Sequence, residues 1–96
     1  MLRITTEEKY GSTTFHLEGK LVGDWVGELE RCWARFHSYE SHSRFLIDLT
    51  EVVFVDDAGK ALLRRLVAEG AELGARNPFM RLVIEQLTKP AAVAHA

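Results

Sequence analysis

The stretch FLIDLTEVVFVDDAGK, Phe45 to Lys60, runs from an apolar segment into two carboxylates, a small residue and a glycine, and a helical pattern follows at once. Phe45 to Leu49 is nearly all apolar, which suits a central strand covered on both faces. Beyond the acids, Ala58, Ala61, Leu62, Leu66 and Leu73 recur at helical spacing, with Arg64, Arg65, Glu69 and Glu72 on the outside. This predicts an amphipathic helix that starts at the acids and ends near Gly70 or Gly74, because glycine tolerates the left-handed closing residue.

Upstream, alternation of period two puts Leu2 with Ile4 and Phe15 with Leu17, while Thr14, His16 and Glu18 face the other way. Two antiparallel strands joined at Tyr10-Gly11-Ser12 follow. Asp24 stands where a helix cap belongs, and Trp25, Leu29, Cys32, Trp33 and Phe36 then stack on one helical face. Two tryptophans on such a stripe are read as core. His37 to Ser43 is polar and reads as a loop.

Downstream, Phe79 to Leu87 fits a strand template nearly as well as a helix, but Asn77-Pro78 favours a helix from about Pro78 to Thr88. Asparagine caps helices well, and proline's missing N–H costs nothing in the first turn. A short strand from Ala71 to Arg76 is expected before it. Residues 1–90 form the expected domain, and 91–96 an expected frayed tail. Strand, strand, helix, strand, helix, strand, helix predicts an α/β fold: a single domain with a mixed β-sheet and helices packed on it.

Bulk properties narrow the function classes. A chain of 96 residues, 47% hydrophobic and 27% charged, forms one core of ordinary globular composition. With twelve basic and fourteen acidic residues and a net charge of −2, no face gathers enough cations for nucleic acid. No apolar run approaches the ~18 residues of a membrane span, and the N-terminus resembles no signal peptide. The single cysteine fits a cytoplasmic setting.

Asp48, Glu51, Asp56 and Asp57 are expected to gather near strand ends, where α/β folds bind ligands and where oxygen ligands would suit magnesium. A receiver-like phosphoacceptor would also need a basic partner at a later strand end, and none is clear near Arg76. Capping explains the acids more simply: the first turn of a helix has unpaired N–H groups and partial positive charge, and Asp56 or Asp57 can meet both. Gly59 inside that turn calls for a close approach by backbone or partner, or for a tight strand-to-helix turn. His37, Glu40 and His42 lack a third firm zinc ligand, and Cys32 lies on the buried stripe, so no metal, no cofactor and no enzyme is expected.

Leu46-Ile47-Asp48-Leu49-Thr50 followed by Val53-Phe54-Val55-Asp56-Asp57-Ala58-Gly59 resembles the signature of STAS domains. These are the anti-sigma factor antagonists of bacteria and the cytoplasmic domains of sulfate transporters. Leu17-Glu18-Gly19-Lys20-Leu21 is similar to the family's second-strand motif. The likeness spans about Phe15 to Leu73 and is strongest from Phe45 to Leu66. It implies a compact mixed β-sheet with helices packed on one face, and a regulatory protein-binding domain whose partner surface is Asp56, Asp57, Ala58, Gly59 and Lys60. Family members under phosphorylation control carry a hydroxyl residue at the position of Ala58, and alanine cannot accept phosphate. Lys60 stands where the family usually has an aliphatic residue. The expected partner is an anti-sigma factor, or a kinase-like or ATPase-like protein. The alternatives are a small-ligand module for nucleotide or lipid, or a transporter-associated one.

Overall fold

The computed structural model describes residues 1–39 and 44–88. Its elements are β1 (Leu2–Lys9), β2 (Ser12–Leu21), α1 (Asp24–Tyr39), β3 (Arg44–Val55), α2 (Asp57–Ala68), β4 (Ala71–Gly74) and α3 (Pro78–Thr88). The strands form one mixed sheet in the order β1-β2-β3-β4, with β1 antiparallel to β2 and the other pairs parallel. The expected α/β class, element order and helix Pro78–Thr88 are all present. The tail expected at 91–96 lies outside the described residues.

The hairpin turns on Tyr10 and Gly11, both at positive φ (48° and 82°), the combination that matches a two-residue turn to strand twist. Beyond it, β2 alternates as predicted: Thr13, Phe15 and Leu17 are buried, while Thr14 and His16 lie on the other face and are half-exposed. The helices cover the first of these faces only. Phe45, Ile47 and Leu49 of β3 join that core, whereas Leu46, Asp48 and Thr50 face away, so β3 is not the doubly covered strand its composition suggests.

β3 is also longer than Phe45–Leu49. Between His16 and Glu18, and again between Gly19 and Lys20, the pairing slips so that β3 supplies one extra residue each time. Each slip is a bulge, and it moves the buried set from Leu49 to Val52 to Val55. Period two is lost there, although the strand continues.

In α1, Leu29 and Trp33 are fully buried, with Trp25, Cys32 and Phe36 packed beside them. Trp33 meets Phe15 and Phe45 at ring distances of 6.1 and 5.1 Å, and its indole N–H donates to Glu69 at 2.8 Å. Two expectations change here. Asp24 is the first residue of α1 and not a cap before it, and the helix continues through His37 to Tyr39, where a loop was expected. The His37 ring stacks on Trp33 at 4.9 Å and lies 5.4 Å from Phe45, so aromatic packing carries the helix onward. Residues 40–43 lie outside the described residues.

The buried face of α2 is Gly59, Leu62, Leu63 and Leu66, while Ala58 and Ala61 are exposed. The helix stops at the first of the two candidate glycines: Gly70 takes φ 111° and its N–H donates to Val67. Glu72 and Leu73 belong to β4, not to the helix. That strand closes at Gly74 and not at Arg76, because the Arg76 amide turns to donate to the Thr50 hydroxyl at 3.0 Å. Asn77 then caps α3, its side-chain oxygen accepting from Met80 N–H at 2.7 Å, while its amide donates to the Thr50 carbonyl at 2.8 Å.

Candidate functional site: the entrance to α2

The turn from β3 into α2 is organised by Asp56. Its backbone is extended (φ −81°, ψ 179°) and its N–H donates to the Leu21 carbonyl at 3.2 Å, which ties the turn to the end of β2. One carboxylate oxygen accepts from Gly59 N–H at 2.7 Å, satisfying one of the amides that a helix start leaves unpaired. The other accepts from Gly23 N–H at 3.0 Å, in the connection between β2 and α1. The Gly23 amide first, and the Gly59 amide second, hold the Asp56 carboxyl below its ordinary value. A single side chain thus joins two chain segments and starts a helix.

The five residues expected to form the partner surface divide by exposure. Asp57 and Ala58 are exposed, Asp56 and Lys60 are half-buried, and Gly59 is buried. A side-chain carbon on Gly59 would stand 2.7 Å from the Leu21 carbonyl oxygen and 2.8 Å from Val55. This is the close backbone approach that the glycine called for. Gly59 is therefore packed against β2 and β3, beneath the exposed Asp57 and Ala58. Lys60 lines a small hollow with Phe54, Val55, Phe79, Met80 and Val83.

The four acids do not gather. Asp48 sits eight residues before Asp56 on β3, roughly 25 Å away at strand rise, on the face of the sheet that no helix covers. Among the described residues no three His, Cys, Asp or Glu side chains come close enough to hold a metal. Of the weak zinc set, His37 is stacked in the aromatic cluster, and Glu40 and His42 lie outside the described residues.

What the sequence did not reveal is a polar line across that uncovered face. One Asp48 oxygen accepts from the Thr50 hydroxyl at 2.6 Å and the Thr50 amide at 3.0 Å; the other lies 3.1 Å from His16 Nδ1. His16 Nε2 lies 3.2 Å from Glu7. Burial pushes Asp48 upward, but the Thr50 and His16 hydrogen bonds outweigh it and leave the carboxyl below its ordinary value. The Glu7 hydrogen bond raises His16, partial burial lowers it, and Asp48 adds to the rise. Alternation had put His16 on the polar side of β2, but pairing it with Asp48 requires the parallel register between β2 and β3.

No protein-family model matches the chain, and no curated protein matches it significantly. Solved structures do. An anti-sigma factor antagonist from Mycobacterium paratuberculosis superposes with a TM-score of 0.75 at 20% identity, over 90% of this chain and 77% of that one. The anti-sigma factor antagonist SpoIIAA in its unphosphorylated form gives 0.60 at 20% identity, over 84% of this chain and 80% of that one. An antisigma-factor antagonist STAS domain from Rhodobacter sphaeroides gives 0.54 at 24% identity, over 77% and 84%. Identities this low speak for fold: the chain has the STAS-like fold that its central stretch resembles. No helix among the described residues is long and apolar enough to cross a membrane.

Proposed function

We propose that this STAS-like chain is a non-catalytic regulatory domain that docks a partner protein on the entrance to α2, in the manner of an anti-sigma factor antagonist. Asp57, Ala58 and Lys60 make the contact, and Asp56 and Gly59 hold its shape. The observation that carries this reading is the fixed, outward presentation of Asp57 and Ala58 by the two hydrogen bonds of Asp56. A surface already ordered before binding costs little conformational entropy to dock.

Ala58 has no oxygen to accept phosphate, so this docking surface is not switched by phosphorylation there. Asp57 does not imitate a phosphoserine, since it carries about one negative charge where phosphate carries about 1.5 to 2, with fewer acceptor oxygens. The partner is of the anti-sigma factor, kinase-like or ATPase-like class, and the setting is cytoplasmic. A nucleotide or lipid at the same end of the sheet has less to hold it. The hollow beside Lys60 measures about 90 Å³, below the roughly 300–1,000 Å³ of small-molecule sites, and the one at Ala58, about 360 Å³, is an open trough between α1 and α2 that encloses a ligand poorly.

The test is affinity purification from the native host with the wild type and with Asp57→Arg and Ala58→Arg. Both substituted side chains are exposed, so the fold is retained, as circular dichroism would verify. Enrichment of a kinase-like or ATPase-like protein by the wild type, lost with both variants, is the expected result. Retention by both variants, or a copurifying small molecule with no protein partner, overturns the proposal. Gly59→Arg is unsuitable, because it would collide with Leu21 and Val55 whatever the partner does.

A further inference from the structure

The four residues of β4 pair with Phe45 to Asp48 alone. Among the described residues, no strand lies beside β3 from Leu49 onward on that side. Thr50 has its carbonyl taken by Asn77, which leaves the edge open from Glu51 to Val55. Open edges carry unpaired backbone donors and acceptors, and proteins usually blunt them with charge, proline or a bulge.

Here the bulge works in the opposite sense. It falls between Val52 and Phe54, and it turns two successive apolar side chains outward, Val53 at 65% exposure and Phe54 at 54%. In a regular strand one of any two neighbours points inward. Across from them, Phe79 at the start of α3 is 66% exposed. Phe54 and Phe79 form the rim of the hollow that Lys60 lines, and its 90 Å³ has room for one apolar side chain. Among the described residues Lys60 makes no ion pair.

We infer that the open edge of β3 at Val53–Val55 receives an extended segment of the partner protein as a short added strand. One apolar side chain of that segment enters the Phe54–Phe79 hollow, and a carboxylate beside it meets Lys60. Backbone pairing supplies affinity and the pocket supplies selectivity, the division of labour of strand addition. The inference rests on the docking reading above and names the partner element that reaches past α2. Three features select this occupant: an edge asks for an extended backbone, the hollow asks for a single apolar group, and an unpaired ammonium asks for an acid. A helix laid on the same place could meet the second and third but would leave the backbone of the edge unpaired.

The probe is a displayed library of extended octapeptides panned against the immobilised full chain. Recovered peptides are expected to combine an aromatic or large aliphatic residue with a neighbouring Asp or Glu. Adding one in solution should slow hydrogen exchange at the amides of Val53 to Val55. N-methylating the peptide backbone at alternate residues, and separately Phe54→Lys in the protein, should each weaken binding by about tenfold or more. The methylated peptide leaves the protein unchanged, so a folding defect in the variant cannot imitate the result.

Recovery of no peptide, of peptides that bind as helices, or of peptides that protect only α1 and α2 overturns the inference. So does a self-associated dimer that already protects Val53 to Val55. A peptide that maps to Asp57 and Ala58 but spares Val53–Val55 sinks the strand addition and leaves the docking reading standing. Loss of host partner binding in Ala58→Arg with peptide binding intact separates the two surfaces.

Discussion

Gly59 lies against the Leu21 carbonyl so closely that an added side-chain carbon would stand 2.7 Å from its oxygen, the same oxygen that accepts from Asp56 N–H. The entrance to α2 is thus seated directly on the end of β2. Two effects of Gly59→Ala oppose each other. Alanine in place of glycine favours a helix by roughly 0.5–1 kcal/mol. Overpacking against a backbone oxygen and Val55 costs roughly 1–3 kcal/mol. Overpacking wins, so urea unfolding should show Gly59→Ala less stable by about 1–2 kcal/mol. A stabilised variant would mean that the contact between α2 and β2 is looser than described.

Asp56→Ala removes the cap on Gly59 and the link to Gly23 together. The folded carboxyl is held below its ordinary value, so the charged form stabilises the fold above the unfolded pKa and that contribution fades as pH falls through the folded one. The wild type should therefore lose stability on acidification from about pH 5 to about pH 2.5 more steeply than Asp56→Ala does. Thermal melting across that range reads the difference. Parallel pH curves for the two proteins would show that the carboxylate does not hold the turn.

The line from Glu7 through His16 to Asp48 has two opposite signs. His16 is raised above 6.5, so its contribution is complete below that value and is lost as pH rises through the folded pKa. Asp48 is lowered below 3.8, so its contribution is present above that value and is lost as pH falls through the folded pKa. The line therefore stabilises the sheet most between the two ordinary values, 3.8 and 6.5, and loses strength outside them. In an NMR titration, His16 should titrate above an unstructured histidine, and Glu7→Gln should bring it down by removing the largest cause of the rise. An unchanged His16 titration in Glu7→Gln would show that the side chains do not meet in solution.

Legibility in the sequence tracked how local the deciding interaction is. The cap of α3 was readable because Asn77 bonds an amide three residues on, and the entrance to α2 because Asp56 does the same. The run of β3 past Leu49 was not, since two bulges set against β2 break the alternation that marks a strand. The extra turn of α1 depends on His37 meeting Phe45. Closure of β4 at Gly74 depends on a hydroxyl from Thr50, a residue in another strand. At the candidate site, the exposed pair Asp57 and Ala58 could be placed from the resemblance. The burial of Gly59 could not, because it is decided by Leu21, thirty-eight residues earlier in the chain.

Ala58 offers the sharpest separation of stability from docking. Its methyl group is exposed and its helix is already capped by Asp56, so serine there touches nothing that holds the fold. Ala58→Ser should unfold within about 0.5 kcal/mol of the wild type, as exposed substitutions away from special contacts do. Serine adds one oxygen and little bulk, so partner capture should persist. Arginine adds length and charge at the centre of the proposed contact, so Ala58→Arg should keep the stability and lose the partner. Partner capture unaffected by arginine would place the docking surface elsewhere on the domain. In the native host, Ala58→Ser also offers a phosphate acceptor where the wild type has none. Mass spectrometry finding phosphate there would show that a kinase addresses this turn, whereas phosphate confined to other residues would move the regulatory position away from Ala58.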